Sequence, residues 1–80
     1  MFFDYEMVVT AKGEERHVLR VDGQTLPNGR FCIIRREGVG WDRATQWDSK
    51  HGRRTFWYAK LDDAMASGIA WVQRRSRDDG

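Results

Sequence analysis

The side chains that could carry covalent or metal chemistry are few and lie far apart in the sequence. The chain has a single cysteine, Cys32, and two histidines, His17 and His51. A structural zinc site needs four ligands at short spacings, so we predict no metal site. Cys32 lies in the apolar segment FCII, where an inert buried thiol is expected rather than an activated nucleophile.

Motifs that would indicate an enzyme are also absent. The adjacent Asp62 and Asp63 would not face each other on a helix, so they do not form a catalytic acid pair. The sequence contains no glycine-rich nucleotide-binding motif and no H-E-x-x-H motif. We therefore predict a protein that is not an enzyme and that uses no cofactor.

Tryptophan and arginine are concentrated between residues 38 and 58. This segment holds three tryptophans and three arginines among three glycines, and 11 of the 14 basic residues of the whole chain are arginine. Arginine has a planar, bidentate group that suits recognition of carboxylate or phosphate, although a GC-rich genome would produce the same bias. The net charge is only +2, with an isoelectric point near 9.0. The segment predicts a binding surface.

The first half of the chain predicts three strands. Residues 2–11 alternate between apolar and polar types, and residues 16–22 do so again after a turn at Gly13, which together predict a hairpin. Residues 30–36 are apolar on both sides, as expected of a central strand.

The tryptophan-rich half predicts one or two more strands. Gly38 and Gly40 are expected to end the central strand. Residues 41–47 are a candidate fourth strand, and residues 53–59 form the last one.

The chain ends in a predicted helix over residues 61–75, followed by a frayed tail over 76–80. One apolar stripe is produced by residues that recur there at spacings of three and four: Leu61, Ala64, Met65, Gly68, Ile69 and Val72. Trp71 lies off this stripe, either at the flank of the core or as the anchor of an interface. We expect the stripe to pack against the strands through Leu61, Met65, Ile69 and Val72, which would contact Phe56, Tyr58, Tyr5 and Met7.

These elements predict an α+β fold, an antiparallel meander of four to five strands with one C-terminal helix packed on one face. Eighty residues are enough for one domain, so we predict a single domain over residues 1–80, with strands in about 2–59. The apolar runs are far shorter than the roughly 18 residues that span a bilayer, and the N-terminal residues do not resemble a signal peptide. We therefore expect a cytoplasmic protein that does not associate with membranes.

The side chains of the last strand alternate, and this alternation predicts the working surface. Because Tyr58 leads into the helix, Phe56 and Tyr58 should lie under it, and Trp57 should lie on the open face beside Arg53. Arg35 or Arg36 would join them, depending on the register. Alternatively, Trp41 and Trp47 could fold over the sheet edge as a lid on the core. The predicted partner-binding residues are Arg35, Arg36, Trp41, Arg43, Trp47, Arg53, Arg54 and Trp57.

The closing segment TFWYAKLDDAMASGIAWVQRR resembles the end of many small β-β-β-α proteins of bacteria and phages. In size, in its sheet and single helix, and in its lack of an active site, the chain is similar to phage-encoded anti-CRISPR inhibitors. That resemblance implies a protein in the host cytoplasm that docks on a CRISPR effector complex and blocks recognition of target DNA. Many of those inhibitors are acidic and imitate DNA, and the basic isoelectric point argues against that mode here.

Two functions therefore stay open at the level of sequence. The first is a small non-enzymatic protein-binding module of the anti-CRISPR type. The second is a small nucleic-acid-binding domain that uses a sheet face rich in tryptophan and arginine. Salt dependence separates them, because contacts to phosphates weaken steeply as the salt concentration rises.

Overall fold

A computed structural model describes residues 1–36 and 41–79 of the chain. Within these residues, five strands form one antiparallel sheet in chain order, and one helix packs against it. The elements are β1 (Phe3–Val9), β2 (Glu15–Val21), β3 (Phe31–Arg36), β4 (Asp42–Asp48), β5 (Gly52–Tyr58) and α1 (Leu61–Asp79). The predicted α+β meander is confirmed, and the candidate fourth strand is present.

The C-terminal end of the helix differs from the prediction. The helix continues to Asp79, so most of the segment predicted as a frayed tail is helical. Acidic residues in its first turn and Arg77 in its last turn match the sign of the helix dipole at each end. The predicted breaks at Gly38 and Gly40 fall outside the described residues.

The helix packs over β3, β4 and β5 and covers one face of the sheet there. The two faces of the sheet therefore have different environments. On the helix side, alternate residues of the strands are buried against α1. Its two apolar clusters meet at Tyr5, which packs against both of them. The buried apolar residues are Leu19, Leu26, Cys32, Ile34, Ala44, Ala64, Trp71 and Val72.

The buried face of the helix includes Ala64, Gly68 and Val72 of the predicted stripe but extends to Trp71. Trp71, expected off the stripe, is only 6% exposed, whereas Leu61, Met65 and Ile69 are half-buried. Small residues explain the difference, because buried Ala64 and Gly68 let the helix backbone approach the sheet closely. Among the predicted sheet partners, Phe56 and Met7 are exposed, while Tyr58 and Tyr5 are half-buried as part of the core.

Tyr5 joins the sheet to the helix at the point of closest approach. Its hydroxyl donates a hydrogen bond to the carbonyl oxygen of Met65, at 2.7 Å. The Cys32 thiol is fully buried beside it, and burial raises the pKa of Cys32 to about 12. The thiolate is therefore strongly disfavoured at neutral pH, as the sequence predicts for an inert cysteine.

Candidate binding surface

The sheet face opposite the helix, called the open face below, brings arginine and aromatic side chains together. The strand register places Arg16, Arg35 and Arg43 side by side on β2, β3 and β4, and Trp57 of β5 completes that row. The same register forms a second row from Phe31, Trp47 and Arg53 on β3, β4 and β5. Between them lies a row of neutral side chains: Val18, Ile33, Thr45 and Thr55.

Aromatic rings hold two of the arginines in place. The guanidinium carbon of Arg43 lies 4.9 Å from the ring centroid of Trp57, and that of Arg53 lies 6.0 Å from the ring of Phe31. Both distances are within the range of cation–π attraction. Phe31 in turn stacks on Trp47, with ring centroids 5.6 Å apart and an angle of 11° between the planes. The open face thus presents cations that are already oriented by the protein.

A shallow pocket of about 380 Å³ lies at the centre of the open face. Its volume falls within the range of small-ligand sites. Hydroxyl groups line its floor, where the Oγ1 atoms of Thr45 and Thr55 are 3.3 Å apart. None of the described lining residues is acidic. They are Arg16, Phe31, Ile33, Arg35, Arg43, Thr45, Arg53 and Thr55.

The charges of the open face are unevenly distributed. Its acidic side chains on β1, Asp4 and Glu6, lie next to β2, where Glu6 Oε2 is 2.6 Å from the guanidinium of Arg20. The pocket instead lies over β2 to β5, where the strand residues on this face include no carboxylate. An anionic partner would therefore meet its strongest attraction over the pocket.

Five of the eight predicted binding residues share the open face, two lie on the helix side, and Trp41 precedes β4. Arg35, Arg43, Trp47, Arg53 and Trp57 share the open face, as the strand register shows. The register selects Arg35 rather than Arg36, whose Nε is 3.8 Å from Asp42 Oδ1 on the helix side. Arg54 also lies on the helix side, opposite Gln46, and Trp41 is exposed immediately before β4.

Two members of the surface, Arg16 and Phe31, were not among the predicted binding residues. The sequence contains a pattern that could have identified them, because consecutive strand residues point to opposite faces. Arg16 is followed by His17 on β2, and Phe31 is followed by Cys32 on β3. The sequence did not show that these two strands lie beside β4 in this register. Neither tryptophan forms a lid on the core, since Trp47 stacks on Phe31 of the open face and Trp41 is 55% exposed.

A second polar cluster lies on the helix side, at the β4–β5 turn. Asp48 is buried and accepts hydrogen bonds from the backbone N–H groups of Lys50 and His51, at 2.8 and 2.6 Å. The His51 ring and Arg75 Nε also contact its carboxylate, at 3.1 and 3.3 Å. Burial by itself would raise the pKa of Asp48, but the hydrogen bonds from His51 and Lys50 lower it below its usual range. These contacts fasten the turn to the helix.

Within residues 1–36 and 41–79, no group of three or more histidine, cysteine or acidic side chains is placed to hold a metal ion. No helix in that part of the chain has the length and apolar character needed to cross a membrane.

Comparisons of the chain with protein-family models, with characterised proteins and with solved structures found no match.

Proposed function

We propose that this protein is a non-enzymatic binding protein whose working surface is the open face of the sheet. The observation that carries the proposal is the row of Arg16, Arg35 and Arg43, ending at Trp57, above a pocket lined by no described acidic residue. Guanidinium groups aligned at neighbouring strand positions suit bidentate recognition of carboxylate or phosphate groups, so the row supports an anionic partner.

The first candidate partner is a protein complex. Tryptophan and arginine dominate the binding energy of protein interfaces, and here both are fixed by mutual contacts before binding. Such preorganisation reduces the entropy lost on association. Together with the resemblance in size and architecture, this supports an inhibitor of the anti-CRISPR type, which would dock on a CRISPR effector complex and block recognition of target DNA.

The second candidate partner is single-stranded nucleic acid. Aromatic platforms flanked by cations bind bases by stacking and phosphates by charge. Trp57 is 54% exposed on the open face, and the guanidinium of Arg43 lies over its ring. The hydroxyls of Thr45 and Thr55 would add hydrogen-bond donors to the same surface.

The adjacent residues Arg53 and Arg54 provide a matched test. Both are exposed and carry the same charge, but Arg53 lies on the open face and Arg54 on the helix side. Arg53→Glu should weaken binding by about 2 kcal/mol, or roughly thirtyfold, as expected at a hot spot. Arg54→Glu makes the same charge change and should alter the affinity by less than about threefold.

The assay would titrate each variant into a guide-loaded CRISPR effector complex with labelled target DNA, and separately into labelled single-stranded oligonucleotides. Inhibition that persists at high salt would support the protein partner. Oligonucleotide binding that falls steeply with salt would support the nucleic-acid candidate. Equal losses for Arg53→Glu and Arg54→Glu would contradict the open face as the working surface.

A further inference from the structure

The strand β1 forms one edge of the described sheet and is unusually apolar for an edge. Five of the eight exposed large hydrophobic side chains of the described residues belong to β1 or the two residues before it. Met7 and Val9 are 57% and 58% exposed on the side of the sheet where the helix lies. Edge strands are normally protected by charged side chains, proline or a bulge; β1 carries Asp4 and Glu6 on the open face, but its residues on the helix side are uncharged and it contains no proline or bulge.

The hydrogen-bonding pattern shows which backbone groups point away from the sheet. Asp22 N donates to Phe2 O and Thr10 N donates to Glu14 O, so the even-numbered residues of β1 bond to β2. The N–H and C=O groups of Tyr5, Met7 and Val9 consequently point to the free edge. These groups are placed to donate and accept the backbone hydrogen bonds of one more antiparallel strand.

We propose that this edge pairs with the same edge of a second copy of the chain, in an antiparallel register centred on Met7. In this register Met7 lies opposite the second copy's Met7, and Tyr5 lies opposite Val9. The outward-pointing backbone groups of both chains then bond to each other. The two sheets become one continuous sheet with both helices on the same side.

Charge disfavours the two symmetric registers that are centred one and two residues closer to the N-terminus. Centring the pair on Glu6 would place two carboxylates directly opposite each other, and centring it on Tyr5 would place Glu6 opposite Asp4. Like charges in opposing positions are destabilising. Centring the pair on Met7 places Glu6 opposite Val8 instead, so no acidic side chain of β1 opposes another.

The uncovered apolar side chains of β1 favour a second copy of the chain as the partner at this edge. The helix packs over β3 to β5, so it leaves Met7 and Val9 uncovered on β1. In the dimer, these side chains and Tyr5 from both copies would form one apolar strip between the two helices. The strip is self-complementary, as an interface with two-fold symmetry requires. The other edge strand, β5, carries charged Arg53 and Arg54 and lacks such a strip.

The experiment measures the mass of the protein by sedimentation over nanomolar to high-micromolar concentrations. The original chain should be dimeric at the upper end. Met7→Lys should raise the dissociation constant at least about a hundredfold, because it buries two unpaired charges at the symmetry axis. Trp57→Lys adds the same charge at a similarly exposed position on the other edge strand and should leave the dimer intact.

A disulfide test examines the register. Residues in a hydrogen-bonded antiparallel pair have Cα atoms about 5.5 Å apart, within disulfide range. In a glutathione redox buffer, Met7→Cys should therefore form a covalent dimer, whereas Val9→Cys, opposite Tyr5, should not. The proposal is overturned by a chain that is monomeric at every concentration, by a dimer that Met7→Lys leaves intact, or by cross-linking through Val9→Cys instead of Met7→Cys.

Discussion

Replacing Gly68 by alanine tests how the helix is seated on the sheet. Alanine is the better helix former, by about 1 kcal/mol, so the change would stabilise an isolated helix. In the folded protein, however, the added Cβ would overlap the Tyr5 hydroxyl oxygen and lie 2.8 Å from Cys32 Sγ. Both neighbours are held in place, since the hydroxyl is bonded to Met65 O and the thiol is fully buried.

The expected magnitude follows from these opposing effects. Overpacking in a core costs about 1–3 kcal/mol. Loss of the hydrogen bond from Tyr5 to Met65 costs about 1 kcal/mol more. Subtracting the gain in helix propensity leaves a net loss of about 1–3 kcal/mol in the free energy of unfolding for Gly68→Ala. Urea denaturation followed by circular dichroism would measure this difference.

The effect of Gly68→Ala on stability should change sign when the two obstructing atoms, the Tyr5 hydroxyl oxygen and Cys32 Sγ, are removed. In a Tyr5→Phe, Cys32→Ala background, the ring carbon Cζ of residue 5 lies at an ordinary 3.6 Å from the new Cβ. Gly68→Ala should then stabilise that background by up to about 1 kcal/mol. Comparing the same change in both backgrounds isolates the steric term. If Gly68→Ala stabilises the original chain, or destabilises both backgrounds equally, the described helix seating is wrong.

Two further predictions concern titratable groups. The pKa of Asp48 is lower in the folded chain than its unfolded value of about 4, so its stabilising contribution is present above that pH and is lost as the pH falls through the folded value. Asp48→Asn should therefore destabilise the protein at pH 7 and flatten the acid side of a stability–pH curve, whereas an unchanged acid limb would contradict this role. Because burial raises the pKa of Cys32 to about 12, a thiol reagent should label it slowly in the native protein and at normal speed in urea. Rapid native labelling would show that the thiol is accessible.

The order of the elements and the two faces of each strand follow from local patterns in the sequence. Alternation with a period of two depends only on neighbours along the chain, so it placed Trp57 beside Arg53 and assigned Phe56 and Tyr58 to the other side. The apolar spacing likewise identified the C-terminal helix, and the segment FCII identified a buried Cys32. These features depend on residues that are close together in the sequence. Such local patterns predict the structure correctly where the fold buries the apolar face of the element.

Tertiary structure decided which faces meet, because strand register and helix seating depend on contacts between residues distant in sequence. A shift of one residue would have exchanged Arg35 for Arg36, and only the pairing of β3 with β4 fixes Arg35 beside Arg43. In the same way, the burial of Trp71 in the cluster with Leu19 and Cys32 depends on how the helix packs across the sheet, which the apolar spacing of the helix alone could not indicate. The arginine row exists because three strands, β2, β3 and β4, align charges that lie far apart in the sequence.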